Sequence, residues 1–256
     1  MKKTVSIIAA LREEEAPCWA STPLEGAHLI SYSIRASEES GTDETWVVTD
    51  SERIQEISIN YGARVLYTPA FDKTSVMEHF CHSVEFDNAV LLNFLCPVLD
   101  SFDIDEAVSK FETGVFDTVL SAYADTTDRS WTTSSDSNYS ELDVVDDKRY
   151  KENEIIYVTS RDILLGGNHV DPDLKIGISE MPHHRSYRIA GDSSFKMLTR
   201  LMRSHYFDHK DDEEQTPLDG SNQAHLFSNS QIQSQEILGL GWNSVPEDYE
   251  IHWGPL

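Results

Sequence analysis

Apolar and polar positions in the first half of the chain follow two alternating patterns. Runs of apolar residues predict short buried strands at 5–10, 46–49, 64–67, 89–94 and 118–123. Between these runs, apolar residues recur at helical spacing and predict helices at 29–40, 50–62, 75–86 and 104–111. Strands joined by helices are typical of βαβ units, so the pattern predicts an α/β fold with a mostly parallel sheet.

A more polar pattern begins after the fifth strand. Residues 125–147 are rich in Ser, Thr and Asp and are predicted to leave the main sheet as an excursion. A strand is predicted at 155–158, then a turn at Gly166 and Gly167 and a helix at 193–205.

The C-terminal part combines charged and aromatic residues. The run 208–215 is strongly charged, and Trp242, Tyr249 and Trp253 follow it. We therefore predict an α/β domain over 1–206 and an acidic linker with an aromatic extension over 207–256. The aromatic residues are expected to pack on the domain or on a partner.

The chain is strongly acidic. It contains 45 Asp and Glu against 20 Lys and Arg among 256 residues, for a formal net charge of −25. Such a surface repels nucleic acid, so no nucleic-acid partner is expected. The acidity suits either a soluble cytoplasmic protein or one that works at high salt, and composition does not separate the two.

Cysteine use indicates a reducing compartment. Cys18, Cys81 and Cys96 are odd in number and far apart, unlike the paired short spacing of zinc sites and redox dithiols. The apolar run at the N terminus meets Arg12 too early for a signal peptide, and no stretch is apolar enough to span a membrane. A cytoplasmic protein without membrane contact is expected.

The loop after the first strand has an unusual charge. Many α/β enzymes cradle a triphosphate there with glycine and a positive charge. This chain has three consecutive carboxylates instead, Glu13, Glu14 and Glu15, with Arg12 as the cation beside them. The loop is therefore predicted to repel a nucleotide triphosphate.

Four stretches carry recognisable motifs, namely Leu29-Ile-Ser-Tyr-Ser-Ile34, Val47-Val-Thr-Asp-Ser51 with its continuation to Tyr61-Gly-Ala63, Leu91-Leu-Asn-Phe-Leu-Cys-Pro-Val-Leu99, and Asn153-Glu-Ile-Ile-Tyr-Val-Thr159. In order and spacing they resemble the acylneuraminate cytidylyltransferase family, whose enzymes make CMP-sialic acid and related CMP-activated acid sugars. The matching family motifs are P-L-I-x-Y-S-I, V-V-x-T-D-S with Y-G-A, L-L-Q-P-T-S-P-L-R, and N-G-x-I-Y-V-T. The resemblance covers about residues 4–204.

The resemblance implies a three-layer α/β sandwich of the nucleotide-diphospho-sugar transferase (GT-A-like) type. It also implies a dimerisation excursion at about 125–177. The expected partners are a second copy of the chain or an active paralogue, and the expected ligand is a nucleotide or a sugar.

At the family's functional positions the chain departs from the pattern. The family's phosphate loop R-G-G-S-K-G corresponds to 12–16, which contains no glycine, and its distal arginine corresponds to Leu99. A pair of aspartates that binds the nucleotide's magnesium in the family corresponds to Arg188 and Ala190. An arginine cannot ligate a cation, and the nearby Asp192 is a weak substitute for a carboxylate pair.

Seven residues form the remnant nucleotide pocket that the resemblance implies: Ala10, Arg12, Asp50, Ser51, Asn93, Cys96 and Arg188. Asp50 and Ser51 could instead cap the helix that follows them, and capping is the favoured interpretation. No catalytic residue and no metal ligand is assigned. His79 and His82 are interpreted as part of a polar helix face rather than as a metal pair.

Losing the phosphate cradle, the metal ligands and the distal arginine removes the groups that neutralise charge in nucleotidyl transfer. The sequence therefore predicts a cytidylyltransferase-like protein with lost or strongly impaired transfer, acting as a binding or regulatory partner in acid-sugar or surface-glycan biosynthesis. One alternative is an active nucleotidyltransferase that recruits Arg12 and Arg188 in an altered geometry. Another is a structural subunit that docks through its aromatic C terminus. No cofactor is expected, and magnesium only if the active-enzyme alternative holds.

Overall fold

The computed structural model describes residues 2–11, 19–68, 73–124, 141–145, 148–166 and 174–203, without the side chains of 73–75 and 141–149. The chain divides into two compact units, one of residues 1–189 with 253–256 and one of residues 190–252. In the second unit, the described part is essentially the helix α6 (Asp192–Arg203). The predicted boundary at 206 and the aromatic extension lie outside the described residues and stay predictions.

A twisted sheet forms the centre of the first unit. Its strands are β1 (Thr4–Ala9), β4 (Glu44–Thr49), β5 (Arg64–Tyr67), β6 (Asn88–Leu92), β7 (Thr118–Ala124), β8 (Glu141–Val145), β9 (Lys148–Ser160) and β10 (Ile176–Glu180). A separate hairpin consists of two short strands of two residues each, β2 (Pro23–Leu24) and β3 (Ala27–His28). The order across the sheet is β10-β7-β9-β6-β1-β4-β5, with β8 paired to β9.

Most of the sheet is parallel, and one long strand runs against it. β1 pairs in parallel with β4 and β6, β4 with β5, and β7 with β10. β9 is antiparallel to all three strands that it pairs with, β6, β7 and β8.

Helices cover both faces of this sheet. They are α1 (Leu29–Glu38), α2 (Glu52–Asn60), α3 (Lys73–Ser83), α4 (Ser101–Glu112) and α5 (Arg161–Gly166). One core cluster joins Ile8 of β1 to Ile34 of α1 and Ile104 of α4, whereas a second joins Ile7 of β1 to Phe80 of α3. Because neighbouring strand residues point to opposite faces, the two clusters lie on opposite sides of the sheet. The predicted three-layer α/β sandwich is confirmed.

The predicted strands and helices of the first half are present within a few residues of their expected bounds. The helix predicted at 50–62 spans Glu52–Asn60 and is followed by Gly62, whose φ of +98° favours glycine. The strand predicted at 155–158 is much longer, and α5, β8 and β10 were not predicted. Direction and length of β9 depend on pairing with β6 and β7, which a local pattern does not contain.

The topology has a switch point beside β1. The chain goes from β1 to β4 and β5 on one side, and then returns to β6 on the other side of β1. In open α/β sheets, ligands bind outside the carboxyl ends of the strands at such a switch point. We call the space at the carboxyl ends of β1, β4 and β6 the crevice. Among the described residues, no helix is both long enough and apolar enough to cross a membrane.

Candidate functional site

Ala10 begins the crevice at the end of β1. Its backbone N–H donates to the carbonyl of Val48 at 2.9 Å, and its carbonyl accepts from the Thr49 hydroxyl at 2.7 Å. Ala10 is buried and its backbone is already used by the sheet. Arg12 and the three glutamates after it lie outside the described residues, so their predicted roles stay predictions.

Asp50 and Ser51 follow β4 at the same edge. Ser51 occupies the N-cap position of α2, and its carbonyl accepts from the N–H of Gln55 at 3.0 Å. Its side chain makes no capping hydrogen bond, so the favoured capping interpretation is wrong for that hydroxyl. Asp50 is buried next to it. The structure therefore places a buried carboxyl group and a hydroxyl group at the crevice.

Asn93 follows β6 and is buried there. Its Nδ2 donates to the carbonyl of Glu154 at 3.1 Å, and its Oδ1 accepts from the N–H of Leu95 at 3.0 Å. Its own N–H donates to the carbonyl of Ile155 at 2.9 Å. Asn93 is thus a positioning residue that fixes the backbone of β9, a role the sequence did not predict.

Asn93 hydrogen-bonds a segment of β9 in which the strand pairing is irregular. The register between β7 and β9 shifts between Leu120 and Ala122. The side chain of Ser121 makes hydrogen bonds at this register shift. Its Oγ accepts from the N–H of Ile156 at 2.8 Å and is hydrogen-bonded to the side chain of Asn153. The Nδ2 of Asn153 donates to the Ser186 hydroxyl at 3.0 Å. Bulges of this kind redirect a side chain and occur near functional sites.

The redirected side chain is Glu154. Its φ is +55°, a left-handed conformation that non-glycine residues rarely adopt. Its carboxylate accepts a hydrogen bond from Nη1 of Arg188 and forms an ion pair with it. The side chains are 23% exposed for Arg188 and 35% for Glu154, so the pair reaches solvent. Glu154 was missed as a site residue, although it stands where the resembled motif N-G-x-I-Y-V-T has glycine.

A second ion pair lies deeper, between Arg185 and Asp103 at the start of α4. Nε and Nη2 of Arg185 donate to the Asp103 carboxylate at 3.1–3.2 Å. Asp103 also accepts from the N–H of Asp100 in a capping box. Burial raises the pKa of Asp103 above its ordinary value, and the charge of Arg185 opposes that rise. This pair ties the segment after β10 to α4.

Cys96 lies beneath that segment and is fully buried. Its thiol donates to the carbonyl of Arg185 at 3.4 Å. Burial raises the pKa of Cys96 to about 12. A neutral, inaccessible thiol is a poor nucleophile and a poor ligand, so Cys96 supports the site by packing rather than by contact with a ligand.

Aromatic rings stand at the carboxyl ends of β7 and β10. The ring of His183 lies edge-on to Tyr123 at 5.1 Å and to Tyr187 at 5.7 Å between centroids. His79 and His82 lie elsewhere, on exposed positions of α3, where Nδ1 of His82 pairs with the Glu78 carbonyl at 2.7 Å. That local bond agrees with the interpretation of a polar helix face.

Sequence comparison agrees with the sheet topology. The sequence profile of a cytidylyltransferase family matches residues 21–232, most of the chain. The chain belongs to the cytidylyltransferase family. No curated protein matches the chain in sequence.

Solved structures of cytidylyltransferases share its fold. A CMP-2-keto-3-deoxy-manno-octonic acid synthetase complexed with CTP has a TM-score of 0.67 and 15% identity, over 79% of this chain and 99% of that one. A cytidylyltransferase from Leptospira borgpetersenii serovar Hardjo-bovis has 0.58 and 15%, over 85% and 96%. A 4-diphosphocytidyl-2C-methyl-D-erythritol synthase from Anaerococcus prevotii has 0.58 and 10%, over 79% and 99%.

The family resemblance implies a magnesium site, and the residues of this chain do not fit one. Mg²⁺ is bound by oxygen ligands such as carboxylates. Arg188, at one of the two resembled ligand positions, is a cation already paired with Glu154. Ala190, at the other position, offers no side-chain ligand and belongs to the second unit. Within the described residues, no three His, Cys, Asp or Glu side chains gather as metal ligands.

Proposed function

We propose that this cytidylyltransferase-family protein binds a cytidine nucleotide or an acid sugar in the crevice without transferring a nucleotide at an appreciable rate. In this proposal it is a divergent relative of the enzymes that make CMP-activated acid sugars. It acts as a binding or regulatory partner in acid-sugar or surface-glycan biosynthesis. The family match and the CTP complex of a structural neighbour support the ligand class.

The observation that carries the proposal is the ion pair of Arg188 and Glu154. A guanidinium stands where the resemblance places a carboxylate that binds magnesium. Nucleotidyl transfer depends on positioning and on neutralising the charge of the phosphates, and one lost electrostatic contact costs about 3 to 4 kcal/mol of transition-state stabilisation. Several such losses together reduce the rate by many orders of magnitude.

The partner in this proposal is a second copy of the chain or an active paralogue. The resemblance assigns dimerisation to an excursion at about 125–177. In the structure, β8 and β9 form an antiparallel pair that extends from the central sheet within that range. A regulatory subunit of this kind would act through an active enzyme in the same pathway.

The test measures ligand binding and turnover separately. Calorimetry with CMP, CTP and 2-keto-3-deoxy-manno-octonic acid gives the affinities, and pyrophosphate release from CTP plus the acid sugar gives the rate. We expect the protein to bind CMP or the acid sugar, while magnesium changes the affinity for CTP by no more than about twofold and starts no turnover.

Two outcomes would contradict the proposal. Micromolar CTP binding that requires magnesium, together with pyrophosphate release, would show an active transferase with an altered site. No binding of any of the three ligands would favour a structural subunit instead.

A further inference from the structure

Glu154 is placed by its surroundings in spite of its backbone conformation. A left-handed φ costs a non-glycine residue about 1 kcal/mol or more relative to glycine. Three side chains nevertheless hydrogen-bond the β9 backbone at this residue and the two after it. Asn93 donates to the carbonyl of Glu154, and the N–H groups of Ile155 and Ile156 donate to Asn153 and Ser121. The strained residue carries the carboxylate that faces Arg188. Strain that surrounding contacts maintain is a feature of functional sites.

The two ion pairs near the crevice differ in their exposure to solvent and in the number of arginine nitrogens that they use. Asp103 is 2% exposed and engages two nitrogens of Arg185. Glu154 engages only Nη1 of Arg188, and both side chains reach solvent. Within the described part of the chain, the other N–H donors of Arg188 have no acceptor. A guanidinium has five N–H donors in a planar fork, so Arg188 retains capacity for another anion.

We propose that Arg188 is the anion-binding residue of the crevice and that Glu154 is its internal counter-ion, displaced when the phosphate or carboxylate of a ligand arrives. This inference rests on the proposed function, because it assigns the anionic group of that ligand to a residue. The guanidinium fork matches both phosphate and carboxylate oxygens in two-point contacts. Glu154 makes only a one-point contact with the guanidinium, whereas such a ligand can make two.

Counter-ion control fits the charge of the whole chain. With a formal net charge of −25, the protein repels anions in general, so an anionic ligand needs a local cation. A permanent carboxylate beside that cation keeps small anions out, because they must displace Glu154 without a second contact. A cytidine monophosphate or an acid sugar brings further contacts and can compete.

The test uses three single variants and one double variant in the crevice, with one matched control. Glu154→Gln keeps the side-chain shape and removes the charge, and Glu154→Gly also relieves the left-handed backbone. Arg188→Gln, alone and combined with Glu154→Gln, removes the cation. The control Glu44→Gln makes the same charge change in another ion pair, where Glu44 contacts Lys3 at 3.0 Å and Arg64 at 3.1 Å at the amino end of β4.

Affinities are measured by calorimetry for CMP, for cytidine and for 2-keto-3-deoxy-manno-octonic acid. We expect both Glu154 variants to bind CMP, the acid sugar or both about tenfold more tightly than wild type, with cytidine unchanged. A gain for CMP assigns the phosphate to Arg188, and a gain for the acid sugar assigns the carboxylate. Adding Arg188→Gln abolishes the gain, and Glu44→Gln shows none.

Other outcomes overturn the inference. If wild type binds CMP and neither Glu154 variant binds any anion more tightly, this inference fails and the proposed function stands. A gain that survives Arg188→Gln, or that Glu44→Gln reproduces, also overturns it. Binding by Glu154→Gln with none by wild type supports the inference and contradicts the proposed function. No binding by any variant contradicts both.

Discussion

At the scale of single residues, the crevice separates charges that hold the fold from charges that remain available. Asp103 and Arg185 form a closed pair in which the carboxylate also caps α4. Removing one partner of a buried ion pair leaves the other charge unsolvated, and this costs about 3 to 5 kcal/mol. The open pair of Arg188 and Glu154 reaches solvent, where an ion pair contributes about 1 kcal/mol or less.

The closed pair predicts a pH-dependent loss of stability in Arg185→Met. Burial raises the pKa of Asp103, so its protonated form favours the folded state and stability decreases as pH rises through the folded pKa. Without the opposing charge of Arg185, the pKa of Asp103 rises further. We expect Arg185→Met to lose about 3 kcal/mol of unfolding free energy near pH 8 and clearly less near pH 5.5, measured by urea unfolding.

The control for this prediction is the double variant Asp103→Asn with Arg185→Met. Because the amide carries no charge, its loss of stability should not depend on pH over the same range. An equal loss at both pH values in Arg185→Met alone would show that the guanidinium acts through packing.

Residue types at the site were only partly predictable from the sequence. Asn93 and Cys96 were singled out and lie near the crevice, yet their side chains engage backbone groups of the protein rather than being left for a ligand. Glu154, which forms the ion pair with Arg188, was missed. Local propensity does not favour glutamate at φ > 0, and only the tertiary contacts of Asn93 and Ser121 explain its position.

At the scale of elements, the strands that have buried neighbours on both sides could be predicted from the sequence. The strands of the second half of the chain, where the pairing is irregular, could not. β1, β4 and β6 are short apolar runs flanked by amphipathic helices, which a sequence shows directly. β10 has the sequence Ile176-Gly-Ile-Ser-Glu180 and alternates between exposed and buried residues at the sheet edge. Its place is defined by parallel pairing with β7, a contact between residues far apart in sequence.

Gly177 in β10 shows why that strand fits. A Cβ at this position would lie 2.7 Å from Cγ of Phe116, whose ring packs against the core. The strand therefore needs a residue without a side chain where it passes under the ring. We expect Gly177→Ala to lower the free energy of unfolding by about 1 to 3 kcal/mol, measured by urea unfolding.

The matched control is Gly166→Ala at the end of α5. No heavy atom lies within 4 Å of a Cβ placed there, and alanine is the better helix former. The control should be neutral or slightly more stable. If both variants lose the same free energy, backbone flexibility rather than the contact with Phe116 explains the effect.

At the scale of the whole molecule, net charge acts together with one loop. The formal charge of −25 repels a triphosphate from any direction, and the sequence adds Glu13, Glu14 and Glu15 next to β1. Long-range repulsion is screened at physiological salt, where the Debye length is about 8 Å, but close contacts are not. Salt therefore separates a local barrier from the general field.

The last prediction compares two triple variants with the same charge change, from −3 to +1 over three positions. The loop variant is Glu13→Gly, Glu14→Ser and Glu15→Lys. The control is Glu38→Gln, Glu39→Gln and Glu112→Lys, at exposed sites where α1 and α4 end.

We expect calorimetry to show CTP binding about tenfold tighter in the loop variant than in wild type, at low and at physiological salt. The control should gain at low salt only, because its charges act through solvent. Pyrophosphate release should stay absent in both, since Arg188 still occupies the resembled metal position. If wild type binds CTP as tightly as the loop variant, the acidic loop is no barrier to a triphosphate. The hypothesis that the protein lacks transferase activity would then lose its main support from the sequence.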